Sequence, residues 1–176
     1  MKRAAIGLLL ALVAGAVLAS TERVLEQTDG GGAPIYGVKI PPGYRDWKLI
    51  SVAHEEGKFN DIRAILGNDI ALKAYRDAQI PFPDGTMISR LAWFYVPSEQ
   101  NNKVFGRSQS FVAGPAPEWY LQVMVKDSGK YAATGGWGFA QFDKDGKVAE
   151  VATIQTCFPC HAQVKGSDLV FTHYAP

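Results

Sequence analysis

The stretch Asp84-Gly85-Thr86-Met87-Ile88-Ser89-Arg90-Leu91-Ala92-Trp93-Phe94-Tyr95-Val96 decides the fold class. Asp-Gly is a tight-turn dipeptide, because glycine takes up the left-handed backbone that such turns need. Residues 86–96 follow it and are rich in β-branched and aromatic side chains, which suit a pleated surface. They predict a long strand. Upstream, Pro41-Pro42-Gly43 marks a turn, residues 47–54 a strand, 57–60 a second turn and 62–66 a short apolar strand. Asn68 or Asp69 can cap a helix in which Ile70, Ala71, Ala74, Tyr75 and Ala78 recur at helical spacing, until Pro81 and Pro83 stop it. Downstream, strands are expected over 120–126 and 137–142, a hairpin-type turn over 143–146, and a short helix over 153–164 despite Pro159. Strands dominate and connections are short. The pattern predicts an α+β fold, mainly antiparallel β, with a few helices packed on one sheet, and argues against βαβ units.

The whole chain has 176 residues, 47% of them hydrophobic and 20% charged, with a net charge of +1. That balance fits a single soluble globular domain and excludes whole-chain disorder. A charge near zero leaves no basic footprint for nucleic acid. Two cysteines cannot build a disulfide scaffold.

Residues 1–19 read as a secretory signal peptide. Lys2 and Arg3 precede an apolar run, and Val17 and Ala19 are small enough for the −3 and −1 positions of a cleavage site. The competing reading is an N-terminal membrane anchor, but the run is short for a spanning helix. Removing the segment changes the charge from +1 to −1 and leaves no membrane span. It places the protein in an oxidising compartment, periplasmic or secreted. Residues 20–34, polar and ending in glycines, read as a flexible arm, with the domain over 35–176.

Cys157-Phe158-Pro159-Cys160-His161 carries the chemistry. Cys-x-x-Cys-His is the attachment signature of c-type haem. Two thiols on one turn reach the two vinyl groups of the porphyrin, and the adjacent imidazole becomes the proximal iron ligand. The expected cofactor is one covalently bound haem c, with Cys157 and Cys160 as its attachment points and His161 as the metal ligand. A plain Cys157–Cys160 disulfide or dithiol is one alternative. Half of a zinc site is another, for which only His54 and His173 remain as further histidines.

The sequence around this motif resembles the cytochrome P-460 family. The resemblance rests on Lys126-Asp127-Ser128, Gly136-Trp137 and Val170-Phe171-Thr172, preceded by Tyr44-Arg45-Asp46-Trp47, Ile62-Arg63 and Asp84-Gly85-Thr86 in the family's order. It covers residues 36–176. It implies a homodimeric, mainly antiparallel β protein with one haem near its C-terminal motif and an open distal iron site. Such proteins include enzymes that oxidise hydroxylamine, sometimes with nitric oxide. The related cytochromes c′-beta bind nitric oxide without that catalysis.

Two positions depart from the enzymes' pattern. Where they carry a lysine cross-linked to the haem, this chain has Arg90, whose guanidinium is no equivalent nucleophile. Lys73 and Lys103, the nearest lysines in the sequence, fall outside that strand. Where the enzymes carry a distal glutamate, this chain has Gln122, an amide that cannot act as a general base. Arg63 matches a distal arginine and can steady an anion. Arg63, Arg90 and Gln122 are therefore the candidate distal residues. Alternation adds Tyr120 and Met124 to the Gln122 face, with Glu118 one step further out. His54, Met87 and Met124 are weaker candidates for a sixth iron ligand. The expected role is binding or redox handling of a small nitrogen-oxide ligand, with hydroxylamine oxidation and simple electron transfer to an unknown redox partner as alternatives.

Overall fold

The computed structural model of the protein describes residues 32–175. The segment expected to be a signal peptide lies outside them. Six strands form one antiparallel sheet: β1 Lys48–Glu55, β2 Asp61–Gly67, β3 Met87–Pro97, β4 Phe111–Ala113, β5 Leu121–Lys126 and β6 Trp137–Phe142. The strand order is β1-β2-β3-β5-β6, with β4 paired to the far end of β3. The helices are α1 Asp69–Arg76, α2 Glu99–Phe105, α3 Val151–Gln155 and α4 Cys157–His161, with 3-10 turns at Tyr44–Asp46, Ala132–Thr134 and Ala162–Ser167. The α+β, mainly antiparallel architecture is the one the sequence pattern predicts.

The turn before β3 and the start of α1 hold each other. Asn68 Oδ1 accepts from Ala71 N (2.9 Å) and Met87 N (3.2 Å), while its amide donates to Gly85 O (2.8 Å). One side chain therefore caps the helix and fixes the approach to the central strand. Gly85 has φ +86°, the left-handed backbone expected of its turn.

Alternation sends apolar side chains to both faces. On one, Leu66, Leu91, Leu121, Val123, Ala140 and Phe142 are covered by residues 33–47 and Tyr131. Ala33 is fully buried there, and its N–H donates to Val38 O at 2.7 Å. Ordered packing thus begins before Ile35, inside the stretch expected to be a loose arm. On the other face, Ile50, Ile65, Ile88, Trp137 and Phe139 pack with α1, Leu169 and Val170.

Four elements differ from the sequence pattern, the first being β4, a three-residue strand that the sequence reading does not expect. α2 was not anticipated; Ser98 caps it by accepting from Asn101 N, and Gly106 ends it with φ +68°. The helix expected over 153–164 is divided into α3, α4 and a 3-10 turn. Pro159 has no N–H for a continuous helix, so α4 starts two residues before it and the proline sits in a first turn, where that donor is not needed. In β1 the register slips between Leu49 and Ser51. Simple alternation would put Ile50, Val52 and His54 on one face, but this bulge turns Ile50 into the core and leaves Val52 and His54 exposed.

Gly138 on β6 tests the packing. A Cβ there would lie 2.4 Å from Tyr131 Cζ. Gly138→Ala should cost about 1–3 kcal/mol through overpacking. That lowers the melting temperature by about 2–4 °C per kcal/mol. Thermal unfolding followed by circular dichroism checks this; an unchanged midpoint would mean that the Tyr131 ring moves aside freely.

Candidate functional site

A cavity of about 1060 Å³ lies between the second sheet face and the C-terminal segment. It is at the top of the range of roughly 300–1,000 Å³ found for small-molecule and cofactor sites. Its floor comes from β1, β2, β3, β5 and β6. Its opposite wall comes from residues 153–161 and 170–173. Cys157, Cys160, His161, Arg63, Arg90 and Gln122 all line it, so the six site residues chosen from sequence meet in one place.

The motif wall is built by α4. Cys157 and Cys160 are free thiols three residues apart on one helical turn. Burial pushes the Cys157 thiol up to about 11, with Cys160 beside it adding to the shift. A redox-active dithiol needs the opposite, a thiol made acidic by its surroundings. Leu169 O lies 2.7 Å from His161 Nδ1. A carbonyl can only accept, so Nδ1 carries the proton and Nε2 keeps its lone pair. Burial also lowers the imidazole pKa, partly offset by that carbonyl contact. The ring is held between Phe139 (centroids 5.0 Å apart) and Phe171 (5.1 Å). Among the described residues no group of three or more His, Cys, Asp or Glu side chains could hold a metal, which leaves the zinc alternative without further ligands.

The far end of the floor is charged. Asp61 is buried and accepts from Arg63 Nε (2.5 Å), Arg63 Nη2 (3.2 Å) and Arg90 Nη2 (2.7 Å). Arg63 also pairs with Glu55, which is half exposed. Arg90 donates to Trp119 O at 3.4 Å, and its buried Nε–H has no protein partner. Burial, with Arg63 second, pulls the Arg90 guanidinium down to about 10 against the pull of Asp61, so it stays charged at neutral pH. Register places Ile65, Arg90, Gln122 and Gln141 in one row across four strands. Gln122 Nε2 donates to Gln141 Oε1 at 3.0 Å.

Other expectations fare differently. Met124 and Glu118 line the cavity, but Tyr120 does not. Tyr120 precedes the first residue of β5, so strand alternation does not govern it; it packs in the opposite core against Trp93 and bonds Arg45. His54 and Met87 are also absent from the lining. His54 instead packs against Tyr95, with the ring centroids 4.1 Å apart and the planes tilted by 32°. Met124 pairs in register with Phe139, whose ring rests on His161, and so belongs to the histidine's side of the cavity. Lys73 and Lys103 are not in the lining, whereas Lys58, on the β1–β2 turn, is. Asp61 and Gln141 escaped the sequence reading. Asp61 has the parity of Arg63, and beginning the strand one residue earlier would have found it.

A family model described as Cytochrome P460 matches residues 41–172. The chain belongs to the cytochrome P460 family. Cytochromes P460 bind haem, and the site fits that group: two free thiols on one turn, an imidazole with one nitrogen committed and the other free, and a cavity of cofactor size beside all three. Comparison with curated proteins gives no match. No helix among the described residues of this cytochrome is long and apolar enough to cross a membrane.

Removing the carboxylate between the arginines tests the charged floor. Asp61→Ala leaves the largely buried Arg90 without its carboxylate and Arg63 with Glu55 alone, and should cost about 3–5 kcal/mol. Arg63→Met should cost less, because Arg90 still neutralises Asp61. Urea unfolding midpoints check both. A loss below about 1 kcal/mol for Asp61→Ala would place the cluster with solvent-screened surface pairs.

Proposed function

We propose that the protein is an exported monohaem cytochrome of the c type whose open iron site binds nitric oxide or a related small nitrogen-oxide ligand. The observation that carries this is the shared cavity, with the Cys-x-x-Cys-His segment on one wall and Arg63, Arg90 and Gln122 on the floor facing it. Cys157 and Cys160 would hold the haem by two thioethers, and His161 Nε2 would supply the ligand to its iron. When bound, the haem supplies an iron that takes a small ligand and exchanges one electron. Arg90 and Gln122, which line the floor, bring N–H groups that can donate to a ligand oxygen. Of the candidate sixth ligands, His54 and Met87 lie away from the cavity and Met124 lies on the histidine's own side of it, which favours an open sixth position over a simple electron carrier. Export rests on the Lys2-Arg3 start, the apolar run and the Val17/Ala19 pair. A homodimer belongs to the same reading.

Hydroxylamine oxidation is the competing activity. Arg90 cannot form the lysine cross-link, and Gln122 cannot take a proton. Mass spectrometry and a ferrous optical spectrum of the matured protein decide between them. The expected result is two covalent haem links, a five-coordinate high-spin ferrous form that binds nitric oxide, and little hydroxylamine turnover. Cys157→Ala with Cys160→Ala should abolish covalent attachment, while His161→Ala should retain it with altered coordination. Arg90→Lys with Gln122→Glu is the fair gain-of-function pair. A third haem–protein bond in the unmodified chain, at Lys58 or elsewhere, or rapid hydroxylamine turnover would restore the enzyme reading.

A further inference from the structure

Behind the motif wall lies a buried ion pair that the proposed ligand chemistry does not use. Lys126 Nζ donates to both oxygens of Asp168, each at 2.8 Å, and to Gly135 O at 3.1 Å. The ammonium also sits 5.0 Å from the centre of the Trp137 ring. Asp168 Oδ2 accepts in addition from Phe82 N at 2.9 Å. The carboxylate is therefore held from two separate parts of the chain.

The backbone at that point is unusual. Asp168 has φ 52° and Leu169 φ 66°, two consecutive left-handed residues, neither of them glycine. L-residues avoid this conformation, so neighbouring contacts must impose it. The Asp168 side chain is fixed by the ion pair. The Leu169 side chain is fixed by Gly135, where a Cβ would come within 2.9 Å of Leu169 Cδ1. The Leu169 carbonyl follows directly on these two anchored residues, and it accepts from His161 Nδ1 at 2.7 Å.

We propose that Lys126 and Asp168 are positioning residues for His161, holding the left-handed turn that aims the Leu169 carbonyl at its Nδ1–H. This rests on His161 being the axial ligand. A hydrogen bond at Nδ1 fixes the ring's orientation and raises the electron donation of Nε2. Stronger donation favours the ferric state. Without the ammonium, Asp168 keeps only the Phe82 N–H as partner for a buried charge. The turn then relaxes toward ordinary backbone, and the carbonyl turns away from His161.

The test uses Lys126→Met in the matured holoprotein, read by the reduction potential and by the iron–histidine stretch in the ferrous resonance Raman spectrum. The expected result is a fall of about tenfold in the ferric-to-ferrous ratio at fixed ambient potential, equivalent to a rise of about 59 mV for one electron. The stretch should move to lower frequency. Lys126→Arg, which keeps a cation beside Asp168, should recover most of both shifts. If Lys126→Met does not fold, Asp168→Asn keeps an acceptor for Phe82 N, removes the charge, and should shift both readouts the same way. Leu121→Ala, in the opposite core, should lower stability without moving either. Unchanged potential and stretch in a folded Lys126→Met or Asp168→Asn protein would overturn the proposal, as would equal shifts in Leu121→Ala. An iron–histidine band that survives His161→Ala would instead overturn the axial-ligand reading on which the proposal stands.

Discussion

Alternation along β2, β3, β5 and β6 sorts side chains into two environments that cannot be exchanged. One residue faces a sealed apolar core, and the next faces the cavity. Leu91 and Arg90 are neighbours in sequence, yet the first is buried among aliphatic side chains and the second reaches Asp61. A slip of one residue in β3 would put a guanidinium into the leucine core and a leucine over the cavity. The register of the central strand therefore fixes the packed core and the polar floor together, and each protects the other against slippage.

The charges on that floor are tolerable because they neutralise one another. Asp61 and Glu55 stand against Arg63 and Arg90, with the most buried member, Asp61, accepting from both arginines. Desolvation still registers in the lowered proton affinity of Arg90. Such a cluster adds little net stability relative to apolar side chains of the same size. What it provides is a set of oriented donors next to a large void, which an apolar floor could not offer.

The sheet was legible because its strands are dense in β-branched and aromatic residues bounded by Gly, Pro and Asn. The motif wall was legible because Cys-x-x-Cys-His has few other uses. What escaped depends on contacts distant in sequence. Asp61 reads as part of a polar turn until Arg63 and Arg90 are seen around it. Tyr120 shares parity with Gln122, but β5 starts after it. α2 has little more than Ser98 to announce it. The bulge at Ile50 leaves no trace in a run of β-formers, yet it reverses which side chains face inward. Lys126 and Asp168 are separated by the whole of β6 and the whole motif, so their pairing is visible only in three dimensions.

The end of the chain returns to its first strand. Ala175 N–H donates to Ile50 O at 2.9 Å, joining positions separated by nearly the whole domain. Closing so long a loop costs only slightly more entropy than closing a short one, but the partner backbone must already be in place. In chain order all six strands precede the motif and its tail. The sheet can therefore form first as a floor, and the segment carrying α3, α4 and residues 170–175 is laid over it afterwards as a roof. In a chain shortened at its C-terminus the loss falls on the roof, and the large void becomes an open trough whose apolar residues face water.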